Sequence, residues 1–375
     1  MTTTSSKLLP KLKTDLQQLM ETIKTDILII GAGLTGLTLA YYLKNANIKV
    51  KVLEANNAVG GRIKTQYNTN QAPIELGATW LIDQQTNALA LLKALDVPVF
   101  TQHYGNTAIY HPNQNQAAQL VQLPANNSIS YRVVNGTYSI IKALEQKLDT
   151  NTIACNQTVQ SIKPFTNGLE ANTNDTTYHC KHIVSTLPPL LFSKSITIEP
   201  ALPLAIQDLL YKTHTWMHNS IRIGFTYKTP FWKAERTSGT IYSSVGIIQE
   251  FYDHSNAGKN LYALSGFINA SFSKHTKEER KNLALKQLQS YYGDQALAFE
   301  SYEECDWANQ KHTNIASDSF LMPQANNGHP LFKDIYLDNK LFIAGAETSA
   351  VFPGKMEGAI TSAQFVFEKL KHIYK

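Results

Sequence analysis

Three glycines and an acid carry the first chemical signal in this chain. Gly31, Gly33 and Gly36 lie in Gly31-Ala32-Gly33-Leu34-Thr35-Gly36, a GxGxxG loop, and Glu54 follows roughly 20 residues on. Gly31 permits a tight turn, Gly33 lets backbone approach a pyrophosphate, and Gly36 lets a helix pack closely on a strand. A helix N-terminus behind such a loop offers free N–H groups and the positive end of its dipole to phosphates. Glu54 can accept hydrogen bonds from ribose hydroxyls. The chemistry of this set is dinucleotide binding.

The flanking sequence supplies the elements that must position these residues. Ile27 to Ile30 is the short apolar run of a strand buried on both faces. Leu37 to Leu43 continues from the loop as an apolar helix, and Lys49 to Leu53 is a second strand with Glu54 at its end. Strand, loop, helix and acid agree, which separates the motif from a chance Gly-rich turn. The loop alone does not choose between NAD and FAD.

Composition bounds the rest. The chain has 375 residues, 43% hydrophobic and 17% charged, enough for two domains and a sizeable core. The net charge of +5 is spread over scattered lysines, which argues against a nucleic-acid partner. Cys155, Cys180 and Cys305 lie far apart with no metal or CxxC spacing, as expected of a reducing cytoplasm. No apolar run spans a bilayer, and the first residues lack a signal-peptide core. Leu9, Leu12, Leu16, Leu19 and Ile23 recur at helical spacing, so residues 1–25 are expected to form an amphipathic helix. Such a helix docks on its own domain, serves a partner or homodimer, or lies on a membrane surface. His214 and His218 are four apart without a third ligand, so no metal site is expected. No GxSxG is present, and the charges from Glu278 to Lys281 read as a solvated helix start.

The residues after the acid narrow the cofactor. Gly60-Gly61-Arg62 closes LEANNAVGGR, where two glycines allow close backbone approach and an arginine can bridge phosphates or reach a ring system. With this segment, Glu75-Leu76-Gly77-Ala78-Thr79-Trp80, YKTPFW at Tyr227 to Trp232, and LFIAGAETSAVFPGKMEGAITSA from Leu341 to Ala363, the chain resembles the flavin-containing amine oxidases. The resemblance runs from Asp26 to Leu370. It implies an α/β fold: a Rossmann-like FAD-binding domain of the GR2 type from residues 26–80, 131–205 and 311–375, and an α+β substrate domain from 81–130 and 206–310.

It also implies roles. Beyond the glycine loop, Glu54 and Ala55, it places Gly77, Ala78, Thr79 and Trp80 beside the isoalloxazine. It puts Val159, in a strand from Thr158 to Ile162, against the adenine through its backbone, and it keeps Trp307. Gly345 and Glu347 would line the pyrophosphate and ribityl chain, and Met356 and Ala359 would open a helix facing the pyrimidine ring. The cysteine that carries covalent flavin in some relatives falls near Ala316, so FAD is expected to bind noncovalently. The family lysine near flavin N5 aligns with Arg222. The two tyrosines of the family's aromatic cage align with about Ser317 and Lys355, leaving Trp80 and Phe352 to supply one wall. The stretch between Trp80 and Tyr131 is short, so part of the usual substrate domain is missing.

The reaction implied is oxidation of an amine to an imine, with molecular oxygen as acceptor and hydrogen peroxide as product. Arg222 and Lys355 would favour a substrate with an anionic group, unless both pair with acids elsewhere. Two other readings stand beside this one. Renalase-like and other relatives share the FAD frame and oxidise non-amine substrates. A flavin-binding partner protein without turnover would also carry these motifs.

Overall fold

Alternation within one strand divides the first core. The computed structural model describes residues 21–374 apart from 103, 125–127, 235–236 and 319. In the strand Glu21–Ile30, Ile27 and Ile29 face one hydrophobic cluster while Leu28 and Ile30 face another. That is the period of two expected where both faces of a sheet are covered. The strand pairs in parallel with Thr176–Ser185 along its length and with Val50–Leu53 over its last four residues, Ile27↔Val50 to Ile30↔Leu53. Ile153–Ala154 extends the sheet beyond Val50–Leu53. The far edge of Thr176–Ser185 is shared: Gly168–Asn172 runs antiparallel beside its first half, and Leu341–Ile343 runs parallel beside its end. This sharing draws the C-terminal segment up to the glycine loop.

The helices Leu34–Asn45 and Met356–Ile373 pack together on one face through Leu37, Leu43, Ile360 and Ala363. Phe192, Ile206 and Leu210 cover the other face. The second sheet has seven strands, in the order Phe299–Asp306, Ile221–Tyr227, Tyr262–Ile268, Ile248–Asp253, Thr240–Ser243, Thr107–His111, Gln119–Gln122. Its pairings are antiparallel except between Thr240–Ser243 and Thr107–His111. The helix Lys277–Tyr292 covers one face through Ala284, Leu285 and Leu288, and starts with a capping box between Thr276 and Glu279. The other face meets the first unit through Ile74, Leu76, Ala263, Cys305 and Trp307. Gly224 is needed there, because a Cβ would stand 2.5 Å from Ile74 Cγ2.

Four expectations are corrected. Ile23 belongs to the first strand, opposite Tyr178, and not to an amphipathic helix; Leu9 to Leu19 lie outside the described residues. The β-branched Thr22, Ile23 and Thr25 suit a strand that has a ready partner. The strand expected over 158–162 runs instead from Ser161 to Phe165, its register fixed by a hairpin closing at Phe165↔Gly168, so Val159 precedes it. Residues 81–101 join the first core and not the second sheet: Leu81, Ala88, Leu91 and Leu92 pack there. The buried Glu357 carboxylate accepts from Ala88 N at 2.7 Å and Asn87 Nδ2 at 2.7 Å, holding the start of the Thr86–Ala94 helix. Arg280 is buried and binds Glu304 at 3.0 and 2.5 Å, so the charged helix start is only partly solvated. No helix among the described residues is long and apolar enough to cross a membrane.

Candidate functional site

A cavity of about 620 Å³ opens where the parallel strands of the first sheet end. That volume is in the range of small-molecule sites. The first loop lines it with Gly31, Gly33, Leu34 and Thr35, the second strand end with Glu54 and Ala55, and the following turn with Gly60, Gly61 and Arg62. Gly33 and Gly60 form a β-bridge, so the two glycine segments touch. A Cβ on Gly33 would meet nothing nearer than Gly61 Cα at 3.9 Å, leaving open space over the backbone. Gly36 serves packing instead: its Cβ would stand 2.0 Å from Gly31 O.

The acids and bases are held in place. Glu54 is buried and accepts from Ala32 N at 2.9 Å, Asn56 N at 2.9 Å and Asn56 Nδ2 at 2.8 Å. Arg62 and Glu347 form a bidentate pair at 2.6 and 2.8 Å, with the Glu347 side chain fully buried and that of Arg62 20% exposed. Arg62 also donates to Trp216 O at 3.2 Å. Glu347 therefore aims an arginine at the cavity without lining it.

Two helix starts at the cavity wall lack side-chain caps. The N-cap of Leu34–Asn45 is Gly33, and that of Met356–Ile373 is Lys355. The Lys277–Tyr292 helix, away from the cavity, has its capping box. Uncapped N–H groups beside a cavity suit an anionic ligand such as a pyrophosphate. A dinucleotide fits the residues present: open glycine backbone, two uncapped helix starts, a buried acid and a held arginine.

The structure brings together most, but not all, of the expected residues. Ala78, Val159, Lys355, Met356 and Ala359 line the cavity. Ala32, Gly77, Thr79, Trp80, Gly345 and Phe352 do not. Trp307 is buried in the junction core, where its Nε1 donates to Leu76 O at 2.7 Å and braces the turn into Gly77. Neither Trp80 nor Phe352 lines the cavity, and Trp80 rests edge-on against Tyr252, ring centroids 5.3 Å apart. Arg222 is buried behind the wall, its Nη1 donating to Gly77 O at 2.8 Å. Burial pushes its guanidinium down to about 10, still protonated at neutral pH. Lys355 Nζ lies 3.9 Å over the Trp216 ring, and burial lowers its pKa. His214 and His218 stack edge-on outside any helix, and no cluster of three metal-ligating side chains occurs among the described residues.

Several lining residues had no sequence motif to mark them. Thr186 Oγ1 donates to Ile30 O at 2.9 Å and Gly31 O at 3.1 Å, closing the turn beneath the first glycine. Its signal was a hydroxyl at a strand end before two prolines. Trp216, Lys311 and His312 come from loops whose sequence carries no period.

The comparisons with known proteins agree with this geometry. A family model described as flavin containing amine oxidoreductase matches residues 34–130 and 116–366. Putrescine oxidase of Kocuria rosea is 23% identical over 78% of this chain and 84% of its own length. Flavin-containing amine oxidase B of Rattus norvegicus is 23% identical over 93% of this chain and 86% of its own. The structure of putrescine oxidase bound to putrescine superposes with a TM-score of 0.80 at 19% identity, over 94% of this chain and all (100%) of that one. Cyclohexylamine oxidase from Brevibacterium oxydans gives 0.80 at 18% identity, over 93% of this chain and 99% of that one. The structural likeness establishes the fold, and the family match extends over most of the chain. The protein belongs to the flavin-containing amine oxidoreductase family, flavin-dependent enzymes that share this two-sheet architecture.

Proposed function

We propose that the protein binds FAD noncovalently and oxidises an amine bearing an anionic group to the imine. The amine loses two electrons and two protons, molecular oxygen takes them up as hydrogen peroxide, and water hydrolyses the imine to a carbonyl compound and an ammonium ion. When bound, FAD supplies the two-electron carrier between amine and oxygen.

The chain's own residues bind and orient. Gly31, Gly33, Gly60 and Gly61 let backbone approach the pyrophosphate, Glu54 suits a ribose, and Arg62 contributes a positive charge fixed by Glu347. The uncapped start of Met356–Ile373 sets a positive dipole end at the cavity, which favours uptake of electrons there. No cysteine among the described residues lines the cavity, and Cys305 is buried in the junction core beside Lys64 Nζ. This supports noncovalent attachment.

The observation that carries the substrate charge is Lys355. It lines the cavity, has no acid partner among the described residues, and lies over an indole face. A fixed cation repels a cationic substrate and attracts an anion. Putrescine, a dication at neutral pH, suits the Kocuria rosea relative but not this wall. The test is product analysis: peroxide and ammonia should appear in equal amounts with a carboxylate-bearing amine, and acid precipitation should leave all flavin in the supernatant. Flavin retained on the precipitated protein, or oxidation of putrescine in preference to amino acids, would overturn the proposal.

A further inference from the structure

Arg222 is a fully buried cation with no ion pair among the described residues, and only one edge of its guanidinium is engaged. Nη1 donates to Gly77 O at 2.8 Å, whereas Nε and Nη2 have no partner among the described residues. The two faces are covered by the rings of Trp80 and Phe267, 4.7 and 4.9 Å from the guanidinium carbon. The free Nε–Nη2 edge carries two parallel N–H donors, the fork that matches the two oxygens of a carboxylate.

The charges nearby compensate this cation only in part: Glu75 and the exposed Glu250 act on Arg222, but neither pairs with it among the described residues. Glu75 is buried too, but its oxygens accept from Thr65 Oγ1 at 2.7 Å and Thr137 N at 2.6 Å, and burial raises its pKa. Among the described residues, a second buried arginine, Arg132, donates to the neutral acceptors Gln102 Oε1, Ser255 O and His254 O. His254 stays neutral, its pKa held well below 6.5 by burial and then by the two arginines. Among the described residues, Glu75 is therefore the one fully buried carboxylate that acts on both cations, with the partly buried Asp253 acting on Arg132. Water can satisfy a donor but does not neutralise a buried charge, and an unpaired buried cation is costly.

A second orphaned donor stands at the same place. The indole Nε1 of Trp80, whose ring covers Arg222, is also buried without a partner among the described residues. Trp80 and Phe267 are half-buried, as are Tyr104 and Tyr242 around Tyr252, so this aromatic wall keeps accessible surface. Ala78, one residue from the Gly77 carbonyl that Arg222 holds, lines the main cavity.

We propose that the free edge of Arg222 binds the carboxylate of the substrate amine in bidentate fashion, making Arg222 the residue that selects aminocarboxylates. This rests on the amine-oxidation reading above for the identity of the reacting group, and on the geometry alone for the carboxylate.

The test uses isothermal titration of the FAD-loaded protein with benzoate and with its neutral isostere benzamide. Wild-type protein should bind benzoate about ten- to hundredfold more tightly than benzamide, the worth of charge-assisted hydrogen bonds. Arg222→Met should remove most of that preference, leaving only the part that Lys355 contributes, and Lys355→Met should leave most of it in place. Arg222→Lys keeps the charge without the fork and should retain only part of it. If Arg222→Met does not fold, the benzoate-to-benzamide ratio of Arg222→Lys decides: a fall supports the clamp, and an unchanged ratio overturns it. Equal binding of the two ligands by wild-type protein overturns it as well. So does an Arg222 substitution that shifts the flavin absorption band while leaving the ratio intact, because the fork then faces the flavin. Benzoate selectivity without flavin reduction by any amine would sink amine oxidation and leave the carboxylate site standing.

Discussion

Two glycines three residues apart should respond in opposite ways to the same added methyl group. Gly33 has an extended backbone, φ −78° and ψ −174°, and a Cβ there meets nothing nearer than 3.9 Å. Gly33→Ala should therefore leave the flavin-free fold within about 1 kcal/mol of wild type, since reduced unfolded-state entropy offsets the poorer N-cap. Its methyl would project into the space where a pyrophosphate approaches the backbone. Overpacking there costs about 1–3 kcal/mol, or about five- to 150-fold in FAD affinity. Gly36→Ala puts its Cβ 2.0 Å from Gly31 O and 3.2 Å from Ile29 Cγ2, so the helix start must shift. The same overpacking should destabilise the flavin-free protein by about 1–3 kcal/mol or more. Thermal melts of flavin-free protein and fluorescence titration with FAD separate the two effects. A Gly33→Ala protein that binds FAD as wild type does, or that melts as low as Gly36→Ala, would refute the placement of the pyrophosphate.

Other outcomes follow from the charges. Glu347→Ala removes the two carboxylate bonds of Arg62 and leaves the one to Trp216 O; because Arg62 is partly exposed, the loss should be about 2–4 kcal/mol, below the usual range for a buried pair, and FAD affinity should fall with it. His254 has a folded pKa far below its unfolded value near 6.5, so the unfolded chain binds the extra proton and stability is lost as pH falls below 6.5. Melting temperature against pH should show this acid limb, and His254→Gln, which keeps an acceptor for Glu75 N, should flatten it. Lys355 titrates below 10.5, so carboxylate binding should weaken as pH rises through that lowered value. Lys355→Met should remove this alkaline limb and weaken binding at neutral pH.

What the sequence discloses follows the range of the interactions. The glycine loop, Glu54 and the Gly60–Arg62 turn are legible because each is a local backbone requirement with a fixed residue type. The helix start at Glu278 to Lys281 is legible from its charges, although Arg280 within it turned inward to meet Glu304, a partner distant in sequence. The buried group of Glu75, Arg132, Arg222 and His254 was not legible as a group. Its members come from separate strands and loops that only the junction of two sheets brings together. Ile23 misled because a short apolar period fits a helix until a long parallel partner such as Thr176–Ser185 is present. Trp216 carries no motif, and its place beneath Lys355 depends on Arg62 gripping its carbonyl.

Anaerobic stopped-flow mixing of the FAD-loaded protein with a panel of reductants shows which compound the enzyme oxidises. The panel should hold amino acids, other carboxylate-bearing amines, benzylamine, putrescine and reduced nicotinamide. A carboxylate-bearing amine should bleach the flavin absorbance, and faster than benzylamine or putrescine does. Bleaching by reduced nicotinamide alone, with every amine inert, would contradict amine oxidation.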